Sequence, residues 1–194
     1  MSAVAIDHAA EFIKLVRDEN EAKCIEYIDK YNDFYNIYVH SSSPLTCACV
    51  NGMDTVAYKL LDCGADINLS DDGWHSLMWA CFQRHTNLAL ELIRRGANVN
   101  NVSQYGTTAL RLACRYMCID IAIALIKAGA HFVDIIDTHI LCSDQKKIIQ
   151  YVREVYRQQI MSVINDDTND NALATSFRTT YAVGVVDMIS EFII

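Results

Sequence analysis

Gly64, Gly96 and Gly129 lie 32 and 33 residues apart, and the residues around them recur with them. Leu45, Leu77 and Leu110 repeat at the same two intervals, as do Ala48, Ala80 and Ala113. A chain with a period near 33 folds as a stack of like units, each too small to bury its own apolar face. That constraint turns the functional question from which reaction to which partner.

Each unit divides into two short helices and an extended return. The first helix carries a small pair, Ala48-Cys49, Ala80-Cys81 or Ala113-Cys114, which lets neighbouring helices approach closely. The second has apolar residues at helical spacing: Val56, Leu60 and Leu61; Leu88, Leu92 and Ile93; Ile121, Leu125 and Ile126. The recurring glycine then ends that helix in a left-handed turn. Beyond it the chain extends and reverses around Asp72-Gly73 or Tyr105-Gly106, so each unit projects a hairpin-like finger.

The ends of a stack must differ from its middle. Val16, Asn20, Cys24 and Ile28 precede Ala48, Gly52, Val56 and Leu60 by 32 residues, which predicts an N-terminal capping unit over 6–36. Asn32 falls in the slot of Gly64 and is expected to take the left-handed turn. Lys14, Arg17, Asp18 and Glu19 give this unit a wet outer face. Clear units follow over 37–68, 70–100 and 103–131. The pattern then decays: 148–164 reads as a longer amphipathic helix, 165–171 as a polar loop, and Leu173 restarts a helix. Residues 132–194 are expected to close the same single domain with divergent units, a separate helical tail being the other reading.

Composition narrows the function. There are 16 Lys and Arg against 24 Asp and Glu, net −8, which disfavours phosphate backbones and anionic lipid as partners. The first dozen residues lack a basic start and an apolar run, and no later run is long enough to span a bilayer. A soluble cytoplasmic or nuclear monomer is expected. The eight cysteines then read as reduced thiols. Cys49, Cys81 and Cys114 follow the period as small apolar fillers, and no spacing matches a zinc site, so no metal is expected.

Gly64-Ala65-Asp66-Ile67-Asn68 and Gly96-Ala97-Asn98-Val99-Asn100, with the Ala, Gly and Leu-Leu spacing, resemble the ankyrin repeat. The resemblance is most specific from Pro44 to His131. The family's Thr-Pro-Leu-His motif stands here as Ser43-Pro44-Leu45-Thr46, His75-Ser76-Leu77-Met78 and Thr108-Ala109-Leu110-Arg111, without its final histidine. The resemblance implies an all-α solenoid of stacked helix pairs with β-hairpin-like fingers. It also implies a non-catalytic scaffold that binds another protein through finger tips and the adjoining first helices.

Positions mapping to that surface include Val39, His40 and Ser42; Asp71, Asp72 and Trp74; and Gln104, Tyr105 and Thr107 on the fingers. Val50 and Asn51, Phe82 and Gln83, and Arg115 and Tyr116 end the first helices. Trp74, Phe82, Tyr105 and Tyr116 are aromatics the core does not need, and exposed aromatics and arginine anchor interfaces. The other reading folds one or two of them over a neighbouring finger. Trp74→Ala with Tyr105→Ala is expected to leave stability nearly unchanged. Asp71 and Asp72 would favour a basic partner or are a solvated turn.

Asn68 and Asn100 occupy the position that asparaginyl hydroxylases modify in the family; the bland reading is an Asn that holds its turn. For catalysis, His75 with Cys81 and His139 with Cys142 lack an orienting acid, and no phosphate loop, nucleophile elbow or zinc-protease motif occurs. No catalytic residue or cofactor is expected. The favoured reading is an adaptor or competitive inhibitor, exemplified by a decoy resembling inhibitors of Rel-type transcription factors or a pathogen protein that captures a host factor. The alternative makes the repeats a targeting module whose helices in 134–194 recruit a larger complex such as a ubiquitin ligase.

Overall fold

The computed structural model describes residues 3–39, 42–71, 73–131, 150, 151, 154 and 158. The chain divides into two compact units, Met1–His131 and Phe132–Ile194. In the second, the four described residues are helical. The expectations for the rest of 132–194, closing units or helical tail, fall outside the described residues.

The first unit is built from four helix pairs. They are α1 (Ala3–Arg17) with α2 (Glu21–Lys30), α3 (Pro44–Asn51) with α4 (Asp54–Asp62), α5 (Ser76–Gln83) with α6 (Thr86–Arg94), and α7 (Ala109–Arg115) with α8 (Ile119–Lys127). The first helices pack in sequence, α1 on α3, α3 on α5, α5 on α7; the second helices do the same. Ala48, Ala80 and Ala113 and the cysteines that follow them are all fully buried. These small residues line the first-helix row, and such side chains let backbones come close. Leucines fill much of the remainder: Leu45, Leu60, Leu77, Leu88, Leu92, Leu110 and Leu125 are 0–1 % exposed. Each is worth roughly 1.5–3 kcal/mol of burial, so a unit without neighbours forfeits most of its stability.

Local signals set the helix ends. Ser43 Oγ accepts from Thr46 N at 3.1 Å and Pro44 opens the first turn of α3. Thr108 Oγ1 accepts from Arg111 N at 3.2 Å to cap α7. His75 holds the equivalent place in α5 without a side-chain cap. The two helices of each pair meet at one left-handed residue, Glu19, Gly52, Arg84 or Met117, with φ between 53° and 65°. Only one of these four is glycine, so the sequence gives little sign of them. At Gly52 the glycine is needed for space as well, since a Cβ there would lie 2.4 Å from the His85 ring.

Gly64, Gly96 and Gly129 have φ of 93°, 87° and 88°, as expected. Asn32 does not follow them. It is not left-handed, and α2 instead runs out through Tyr31 at φ −127°, ψ 140°. The physical substitute is Tyr35, whose hydroxyl lies 3.1 Å from Ile28 O and 2.9 Å from Tyr31 O and can donate to either open carbonyl.

The returns form short fingers. β1 (Ser70–Asp71) pairs antiparallel with β2 (Trp74–His75), and single bridges join Val39 to Ser42 and Val102 to Thr108. The units are tied by a ladder of asparagines. Asn36 Oδ1 accepts from Asp66 N at 2.8 Å, Asn68 Oδ1 from Asn98 N at 2.7 Å, and Asn100 Oδ1 from His131 N at 2.8 Å. Asn68 and Asn100 therefore hold the next segment's turn. Their own turns are held by Asp66 and Asn98, which accept from Asn68 N and Asn100 N. Along the second-helix row, Asp29 pairs with Lys59 and Asp62 with Arg95. Such half-exposed pairs contribute ~0–1 kcal/mol, so apolar burial and the buried ladder of first helices dominate.

Candidate protein-binding surface

In α5, Leu77, Ala80 and Cys81 point into the stack and are fully buried. Trp79 and Phe82, three residues apart, share a different face and are half-buried. β2 brings Trp74 onto that face: its ring centroid is 4.7 Å from Trp79 and 5.9 Å from Phe82. Trp79 and Phe82 meet edge-on at 5.9 Å. Tyr116, which ends α7, approaches Phe82 edge-on at 5.1 Å. The β1–β2 finger, α5 and the end of α7 thus hold a connected set of four rings, Tyr116 joining through Phe82 alone, none in the buried core. Edge-on and tilted ring pairs of this kind add ~0.5–1.5 kcal/mol each beyond their area, which fixes the rings before any partner arrives.

Of the residues expected to form the surface, the structure brings together Trp74, Phe82 and Tyr116. Tyr105 stands apart on the third finger, 78 % exposed and without a ring contact among the described residues. Gln104 is exposed and Thr107 half-buried beside it. Ser103 Oγ accepts from Tyr105 N at 3.3 Å and Thr107 N at 3.1 Å, and so shapes that tip. Gln83 is exposed and donates to Val50 O at 3.2 Å, tying α5 to the end of α3. Arg115 is exposed. Asp71 lies in β1, its side chain undescribed, and Asp72 and His40 fall outside the described residues.

Trp79 is missing from the expected set. Its equivalents one unit away, Cys47 and Leu112, are buried apolar residues, so periodicity places it in the core. An indole does not fit where those side chains do and turns out toward Trp74. The one available signal was size at a position otherwise held by smaller residues. The ring contacts also revise the stability expectation for Trp74, whose loss would remove packing; for Tyr105 the expected small effect fits its exposure.

Behind Trp74 sits His75, fully buried, with neither ring nitrogen in hydrogen-bonding geometry. Burial pushes its pKa down from 6.5 to about 4, against the opposing influence of the Asn98 backbone. The thiols move the other way. Burial raises Cys49 and Cys114 to about 12 and Cys24 to about 11, which keeps them protonated and poor nucleophiles. Among the described residues no three His, Cys, Asp or Glu side chains stand together as a metal site. No described helix is long and apolar enough to cross a membrane.

Stacked helix pairs with a finger on each return define a helical-repeat solenoid. Residues 45–136 match the family model of ankyrin repeats in three copies. No curated protein matches it. Ankyrin repeats are in general modules of protein–protein interaction.

Proposed function

We propose that this chain is a non-catalytic scaffold that holds a protein partner on the face shared by the second and third fingers and helices α5 and α7. The observation that carries this is the touching set of Trp74, Trp79, Phe82 and Tyr116, left half-exposed beside a core that closes without them. Contiguous aromatic surface is costly to leave wet, and aromatic residues are the usual anchors of an interface. Tyr105, Gln104, Thr107, Gln83 and Arg115 form its polar and aromatic rim, and Asp71 faces Trp74 across the strand pair. A rigid scaffold loses little conformational entropy on binding. By blocking or recruiting a partner it acts as a competitive inhibitor or adaptor.

The experiment compares partner capture by the full chain with that by Trp79→Ala plus Tyr116→Ala and by Leu90→Ala, an exposed residue of α6. The reading requires that the double variant keeps its helical circular dichroism and loses the partner, while Leu90→Ala retains it. Retention by both would refute it. A role for 134–194 in recruiting a larger complex rests on no described residue. Hydroxylation of Asn68 or Asn100 would have to compete with the bonds these carboxamides make to the next unit's Asn98 and to Gly129 and His131.

A further inference from the structure

At the end of the aromatic cluster where α5 and α7 finish, the charge is opposite to that of the chain. Residues 73–84 and 102–117, which supply finger 2's second strand, finger 3, α5 and α7, contain Arg84, Arg111 and Arg115 and no Asp or Glu, in a chain of net −8. Arg115 holds the repeat position of Phe82 one unit further along and adjoins Tyr116, whose ring touches Phe82. Arg84 follows α5 immediately, two residues after Phe82. Both are exposed, and neither guanidinium has an ion pair or hydrogen bond among the described residues. Arg111 by contrast donates to Gly106 O at 3.4 Å, and Arg95 is engaged by Glu91 and Asp62.

A cation at a helix C-terminus offsets the helix dipole by ~0.3–1 kcal/mol, and Arg115 in the last turn of α7 does that. That role does not account for the aromatic rings left open beside it. Asp71 faces Trp74 across the β1–β2 pair, at the end of the cluster where α5 starts, and the eight residues of α5 place about 12 Å between that helix's start and its end.

We propose, resting on the reading above, that the cluster receives a protein segment in which an aromatic or aliphatic side chain is flanked by carboxylates. The apolar side chain packs among Trp79, Phe82 and Tyr116. The carboxylates pair with Arg84 and Arg115, for which a planar guanidinium fork is well suited. The choice is argued from charge complementarity: an acidic chain repels acidic partners everywhere except at a locally basic face.

The chain's only two tryptophans are Trp74 and Trp79, so their fluorescence is a reporter placed on this face, read with peptides that contain no tryptophan. The full chain is used to select short random peptides from a display library, and the selected peptides are titrated against it by tryptophan emission. Enrichment of Asp and Glu around an aromatic or Leu is expected. So are a change in emission, binding weakened by added salt, and about tenfold weaker binding to Arg115→Glu or Arg84→Asn. Asn tolerates the left-handed φ of 63° at position 84, and circular dichroism checks both variants.

Enrichment of Lys and Arg, or binding indifferent to both substitutions, overturns the acidic-segment inference. If those peptides still change tryptophan emission, the docking surface stands without it. Peptides that bind with unchanged emission, or no enrichment at all, overturn both.

Discussion

Gly73 and Gly106 hold the same turn position in successive fingers, with φ of 78° and 70°, yet they carry different loads. A Cβ on Gly106 would meet nothing within 4 Å, whereas one on Gly73 would lie 2.7 Å from Ser103 Cα and 2.9 Å from Val102 O. Gly106→Ala therefore costs only the left-handed conformation, ~1–2 kcal/mol. Gly73→Ala adds a clash with the backbone of the next finger and is expected to cost at least about 1 kcal/mol more, measured as the difference in urea unfolding free energies. Equal losses would show that the fingers do not press together.

His75 gives a second test at this scale. The unfolded histidine takes up its proton near pH 6.5 and the folded one only near 4, so the unfolded state binds more protons between these values. Stability is full above about 6.5 and falls as pH drops toward 4, by about 3 kcal/mol over the window if the whole shift is expressed. His75→Thr places the residue of position 108 at the α5 cap and removes the titration. Its stability curve should be flatter across this window than that of the parent chain. Parallel curves would place the acid sensitivity in other groups.

At the scale of the element, the asparagine ladder couples one unit to the next. Asn68→Ala removes the acceptor for Asn98 N and leaves that amide to solvent. A loss of ~0.5–1.5 kcal/mol is expected. The local readout is faster hydrogen exchange at the Asn98 amide, with the amides of α3 little changed.

Helices and fingers were legible from the 32- and 33-residue intervals, because leucine, small-residue and glycine positions each answer to a single requirement that every unit shares. The ladder was not legible in the sequence, where Asn68 and Asn100 read as holding only their own turns, although Asn36, Asn68 and Asn100 are 32 residues apart. What period alone withholds is direction: whether an asparagine ties its own turn or its neighbour's depends on how closely units stack. Asn32 and Tyr35 show another limit. An end unit has a neighbour on one side only, and an aromatic hydroxyl took over the capping that glycine performs elsewhere. The candidate surface was legible only in part for a different reason. Trp79 sits in a core slot by register and leaves it by volume.

At the scale of the molecule, the row of buried first helices makes the repeats rigid, and the aromatic face is the part of that row the core does not consume. Removing Trp79 and Phe82 should consequently weaken the fold without dismantling it and cost most of the binding. Double replacement by Ala removes all four ring contacts and is expected to lower stability by ~2–6 kcal/mol, while retaining a single cooperative transition. A collapse of the transition would assign the rings to the core.

The most direct test of the account is hydrogen exchange of the full chain, free and saturated with a bound protein segment. Protection is predicted to gather in 73–84 and 102–117, with the second helices α4, α6 and α8 unchanged. Protection centred on those second helices, with finger 2 and α5 exchanging as in the free chain, would contradict it.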